Sequence, residues 1–142
     1  MSSELEPVFA RLRDVLALHA SGFTIADDSE QRYELEGAVG PATMRAWGGK
    51  ARAQTIPVAW VEVRKAYVGY HLMGITGHPK LAATLSAELR AHMQGKSCFN
   101  FKVVDDRLFS ELARVTEESL LGMRKAGYIL AAAELGRQAW DS

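Results

Sequence analysis

The stretch AYVGYHLMGI, from Ala66 to Ile75, restricts the fold more than any other. In an extended chain successive side chains point to opposite faces. Ala66, Val68, Tyr70, Leu72 and Gly74 therefore share one face, and Tyr67, Gly69, His71, Met73 and Ile75 the other. Neither set carries a full charge while His71 is neutral. A strand apolar on both sides belongs near the middle of a sheet, covered by helices on one face and by a loop or a partner on the other. Farther on, Ser97, Phe99 and Phe101 alternate with Cys98, Asn100 and Lys102, so the phenylalanines mark a core face and the opposite face is polar. The two segments are expected side by side in one sheet.

Gly95-Lys96-Ser97 invites comparison with a phosphate-binding loop, but that motif needs a glycine where Arg90 stands, and a strand before it with a helix after it. The order here is the reverse. Gly95 instead suits the position just past a helix end, where a left-handed backbone favours glycine.

The flanking sequence supplies the other elements. Ser3 and Glu6 have capping-box spacing, Pro7 fits a first helical turn, and Leu5, Val8, Phe9, Leu12, Val15 and Leu16 form an apolar stripe, predicting a helix to about Ala20 that Gly22 ends. A short apolar piece from Phe23 to Ala26 leads into an acidic turn. Tyr33, Leu35, Gly37 and Val39 then alternate with polar or small residues as a half-exposed strand closed by Pro41. Ala42 to Trp47 reads as another short strand before the Gly48-Gly49 turn. Ile56 to Arg64 is a clear strand, with Val58, Trp60 and Glu62 on one face and Ala59, Val61 and Val63 on the other, and its short link to Ala66 implies an antiparallel hairpin. After Gly77-His78-Pro79 come a helical turn through Leu81 and Leu85 and a second short helix capped by Ser86, carrying Leu89 and Met93. Asp105 or Asp106 caps a last long helix with Leu108, Leu112, Val115 and Leu120 on its stripe and Gly127 as its stop.

The expected fold is therefore α+β, a two-layer sandwich with a mostly antiparallel sheet of four to six strands, N- and C-terminal helices and a helical hairpin insertion. Residues 1–127 form the single domain. Residues 128–142 read as a helical extension whose apolar content suits packing on the domain or on a second copy, which leaves a homodimer open.

Composition narrows the partners. Seventeen basic and seventeen acidic side chains cancel, so no long-range attraction to nucleic acid or anionic lipid is built into the chain. Apolar runs fall short of the roughly 20 residues of a membrane helix. One cysteine forms no internal disulfide, and the opening MSSELEP lacks a basic start and an apolar signal core, so the expected location is the cytoplasm. Locally the charges separate. Asp27, Asp28, Glu30, Glu34 and Glu36 are opposed by Arg32 alone, and Arg45, Lys50, Arg52, Arg64 and Lys65 by Glu62 alone. Each cluster is a solvated surface or, respectively, a cation site and an anion site.

Few residues offer chemistry. His71 is a donor, acceptor or metal ligand near neutral pH, or a core histidine with satisfied nitrogens. Cys98 is a nucleophile if Lys96 or Lys102 lowers its pKa, and otherwise an inert thiol. His19 and His92 suit helix C-termini. No two histidines have helical metal-pair spacing. Trp47 and Trp60 suit a pocket floor, a ligand-stacking platform or the core rim. No nucleophile, base and orienting acid assemble from sequence alone.

At Tyr67-Val68-Gly69-Tyr70-His71-Leu72-Met73, at Lys80-Leu81 and from Met93-Gln94-Gly95-Lys96 through Ser97-Cys98-Phe99-Asn100-Phe101-Lys102, the chain resembles the YdhG-like family of small bacterial domains of unknown function. The resemblance implies a compact α+β domain and, through a branch likened to frataxin, iron delivery. It supplies no catalytic residues. The acidic ridge that a frataxin-like role needs is matched poorly by the first helix, which carries Arg11 and Arg13 beside Asp14.

The expected function is thus a non-catalytic binding domain for a small molecule or protein partner. Trp60, Tyr67, His71, Met73, Cys98, Asn100 and Lys102 would border a groove on one sheet face, with no cofactor and no metal ligand set. The alternatives are an iron-binding chaperone using Asp27, Asp28, Glu30, Glu34 and Glu36, and an enzyme using Cys98 or His71.

Overall fold

A computed structural model describes residues 3–130. Its elements are α1 (Glu6–Ala17), β1 (Thr24–Asp28), β2 (Arg32–Ala38), α2 (Pro41–Ala46), β3 (Thr55–Val63), β4 (Val68–Leu72), α3 (Pro79–Ala83), α4 (Ala87–Arg90), β5 (Met93–Gln94), β6 (Cys98–Phe101) and α5 (Asp106–Lys125), with 3-10 turns at Ser3–Leu5 and Met73–Ile75. The six strands form one antiparallel sheet in the order β1-β2-β3-β4-β6-β5. The α+β expectation holds. No described helix is long and apolar enough to cross a membrane.

The segment that is apolar on both sides lies inside the sheet. β4 pairs with β3 and β6, which sets Tyr70 opposite Val61 on one side and Phe99 on the other. Core-facing residues share one parity along each strand: Tyr33 and Leu35, Ala59 and Val61, Val68, Tyr70 and Leu72, Phe99 and Phe101 are all buried. Against them pack Val8, Phe9, Leu12 and Leu16 of α1 and Leu108, Phe109, Leu112, Val115, Leu120 and Met123 of α5.

One polar pair is buried in this layer. The Thr116 hydroxyl donates to the Leu112 carbonyl at 2.7 Å, which uses its only hydrogen. In the 2.6 Å contact between Tyr70 and Thr116, tyrosine is then the donor. Burial pushes the Tyr70 phenol well above its ordinary range and the Thr116 bond pulls the other way, so the ring stays neutral.

Caps and glycines behave largely as their residue types dictate. Ser86 accepts from the Leu89 amide and Asp105 from Leu108, as expected, while His78 caps α3 through Nδ1. Gly95 and Gly127 adopt positive φ at +75° and +82°.

Five expectations need correcting. Residues 42–47 are largely helical, as α2, rather than a strand: Pro41 at the first turn follows an extended Gly40, and the run is too short for its alternation to outweigh that start. The piece after Gly22 is a full edge strand, β1, whose mostly exposed side chains give no apolar period to detect. The first helix ends at Ala17, three residues early, and begins at Glu6 with Leu5 at its N-cap and no side-chain cap. Met93 leaves the second short helix to form β5 with Gln94. Finally, the β2–β3 register passes from Leu35↔Ala59 to Glu36↔Pro57, so Val58 is the extra residue of a bulge and turns into the core instead of siding with Trp60.

The end of the described chain is integral to the domain. Ile129 is buried and bridges Val39, the Tyr128 carbonyl accepts from Gly40 and from the Thr43 hydroxyl, and the Leu130 amide donates to Ala38. The rest of the expected extension, residues 131–142, lies outside the described residues.

Candidate functional site

The parity that buries Tyr70 and Phe99 sends their neighbours to the opposite face, where His71, Cys98 and Asn100 stay partly exposed and no helix among the described residues packs on them. Register sets Glu34, Trp60, His71 and Cys98 in one row across β2, β3, β4 and β6, and Arg32, Glu62, Gly69 and Asn100 in the next.

Side chains in these rows hold one another. His71 stacks on Trp60 with ring centroids 4.6 Å apart and planes 11° from parallel. Arg32, on the strand flanking β3 from the other side, lies over the same indole at 5.5 Å. Trp60 is thus clamped between two neighbours, and its faces are not a free stacking platform. Arg32 also pairs with Glu34 at 2.5 Å and Glu62 at 2.7 Å. Cys98 Sγ lies 3.2 Å from Asn100 Oδ1 and 3.4 Å from His71 Nε2. Gly69 leaves room for that trio: a Cβ there would meet all three, the nearest being His71 Nε2 at 3.3 Å.

The chemistry of this row is that of a neutral pair. Burial lowers the pKa of His71, opposed by Glu62; burial also raises the Cys98 thiol, and Glu62 raises it further. Both shifts disfavour the thiolate–imidazolium form that a cysteine nucleophile uses. Glu62 Oε1 is 3.9 Å from His71 Nε2, the nitrogen that also meets the thiol. An orienting acid would engage the other nitrogen, as in a triad.

At the end of this face, beside Trp60, a hollow of about 550 Å3 opens. It is lined by Thr43 and Trp47 of and beside α2, by Ile56, Pro57 and Trp60 of β3, by Met73, Gly74, Thr76 and Gly77 of the turn after β4, and by the C-terminal end of α5 with Tyr128. None of its lining residues among those described is charged. Met73 is 42 % exposed and Tyr128 43 %, large apolar surface in a wall rather than in the core. Neither Trp47 nor Trp60 has a hydrogen-bond partner for its indole N–H among the described residues.

The seven expected groove residues therefore divide. Trp60 and Met73 line the hollow. His71, Cys98 and Asn100 form the polar row behind Trp60. Tyr67 and Lys102 sit just beyond the Val68↔Phe101 pair at the far end of the strands, roughly 13 Å from His71 along the chain. Sequence reasoning missed Thr43, Ile56, Thr76, Met123 and Tyr128 as walls, because reading α2 as a strand removed the element that closes the hollow. The Gly40-Pro41 helix start was the available signal.

The remaining candidates are engaged elsewhere. Asp28 pairs with Arg13 at 2.8 Å on the helix side, whereas Glu34 faces the open side with Arg32, and Glu36 accepts from Thr55 at 2.5 Å. The acidic segment is thus split between two faces, and among the described residues no group of three or more histidines, cysteines or carboxylates is placed to hold a metal. His19 bonds the Val15 carbonyl near the end of α1. His92 bonds the Asn100 carbonyl and stacks on Phe101 at 4.5 Å, so it fastens β6 rather than serving a helix dipole. His78 packs against Gly122.

Comparison with protein-family models, with curated proteins and with solved structures gives no match to this chain.

Proposed function

We propose that this chain is a non-catalytic binding domain, of the kind its YdhG-like resemblance suggests, whose ligand seat is the hollow between α2, β3 and the end of α5. The observation that carries this reading is the hollow itself: about 550 Å3 of space walled by two tryptophans, Met73, Ile56, Pro57, Met123 and Tyr128, with no charge among the described lining residues. That volume is in the range of small-molecule sites, and an uncharged wall selects an apolar body. The unpartnered indole N–H groups suit a hydrogen-bond acceptor on it. The clamp on Trp60 holds one wall in place before a ligand arrives, which lowers the ordering cost of binding.

The neutral apolar fluorophore N-phenylnaphthylamine tests the seat. It should brighten on the wild-type protein at one equivalent, and Met73→Lys, which puts an ammonium in the wall, should weaken it by roughly tenfold or more. Undiminished binding to that variant would move the seat elsewhere.

A further inference from the structure

The segment that joins two walls of the hollow carries the charge that the hollow lacks. Trp47 and Ile56 both line the cavity, so residues 48–55 run from one wall to another. The segment from Gly40 to Thr55 contains Arg45, Lys50 and Arg52 and no carboxylate. All three are exposed, and none of their side chains has an ion-pair or hydrogen-bond partner among the described residues. Arg11, Arg13, Arg32, Arg64 and Arg114 each meet a carboxylate, whereas Arg107, Arg124 and the other described lysines share the lack of an ion pair, so what sets this segment apart is three such cations in a run of sequence without a carboxylate. The carboxylate that register brings beside Pro57 is Glu36, and it is engaged by the Thr55 hydroxyl.

We infer that the hollow takes an amphiphile with a single carboxylate head, its apolar body against Trp47, Trp60 and Met73 and its head toward the Arg45, Lys50 and Arg52 rim. The inference rests on the ligand-binding reading above and adds the chemical class. An uncharged wall cannot compensate a buried carboxylate, so the charge stays at the mouth. There the three cations attract it through solvent, an interaction that salt weakens within a Debye length of about 10 Å at 0.1 M.

Three probes with the same tail separate the two readings: octanoate, octanol and octyltrimethylammonium, titrated below micelle-forming concentrations and followed by isothermal calorimetry and amide NMR shifts. The expected order is octanoate first by roughly tenfold, then octanol, then the cation, with the octanoate advantage shrinking as salt rises. The double reversal Lys50→Glu/Arg52→Glu, on an exposed loop, should abolish the preference while octanol binds unchanged. Equal binding of octanoate and octanol, a preference that ignores salt, or a preference for the cation overturns the carboxylate head but leaves the seat standing. Failure of all three probes to shift the amides of Trp47, Met73 and Tyr128 overturns both.

Discussion

The two faces of the sheet solve opposite problems with the same strands. Among the described residues the covered face carries little polarity, the Tyr70–Thr116 pair and the buried Ser119 of α5, set in a layer of buried apolar side chains. The open face is knit from Arg32, Glu34, Glu62, His71, Cys98 and Asn100, all partly exposed, and it turns apolar only at the hollow. Burial area dominates stability, so the covered face should hold the fold while the open face is free to serve recognition. An apolar patch on a face that stability does not need is the more informative feature.

That division can be broken by experiment. The largest expected effect is Leu112→Ala on the covered face, about 2–5 kcal/mol lost through the removed methyls and the cavity left behind. Asn100→Ala on the open face should lose less than about 1 kcal/mol. Urea denaturation of both decides it, and comparable losses would mean that the polar row is structural. Next comes Tyr70→Phe, expected to lose about 1–2 kcal/mol because the Thr116 oxygen is left without its donor. Adding Thr116→Val should cost little more, since both partners are then apolar.

The smallest effect is a pH dependence from His71. Its folded pKa lies below the ordinary 6.5 because burial disfavours the charged ring. As pH falls through 6.5 the unfolded chain takes up the proton first, so this contribution to stability is complete above 6.5 and is lost toward lower pH. His71→Gln should flatten the wild-type loss of stability between neutral and mildly acidic pH in paired denaturation curves. An identical slope would place the ring in solvent.

Much of the covered face was legible because burial writes a period into sequence. Leu5, Val8, Phe9, Leu12 and Leu16 announced α1, and Phe99 and Phe101 announced the core side of β6. The open face was half legible: alternation placed Trp60, His71, Cys98 and Asn100 together, since parity is fixed once Tyr70 and Phe99 point inward. It could not say that Met73 and Trp60 belong to a hollow while Tyr67 and Lys102 end up at the other end. That depends on α2 and Tyr128, brought in by contacts between residues 85 apart. β1 was illegible for the opposite reason, since an edge strand with little burial leaves no period. The bulge at Val58 was hidden because an extra residue breaks alternation without changing composition.

The stitch between Gly40 to Thr43 and Gly127 to Leu130 has a consequence for how the chain is made. Where Gly40 passes the Gly127 carbonyl there is no room for a Cβ, and Ile129 fills the space above Gly37. During synthesis, strands β1 and β2 leave the ribosome long before these residues do, so the wall bearing Tyr128 must wait until residues 127–130 have followed them. A nascent chain should bury its first helix and central strands early and acquire the hollow only once Tyr128 has emerged and docked against Gly40 and Thr43.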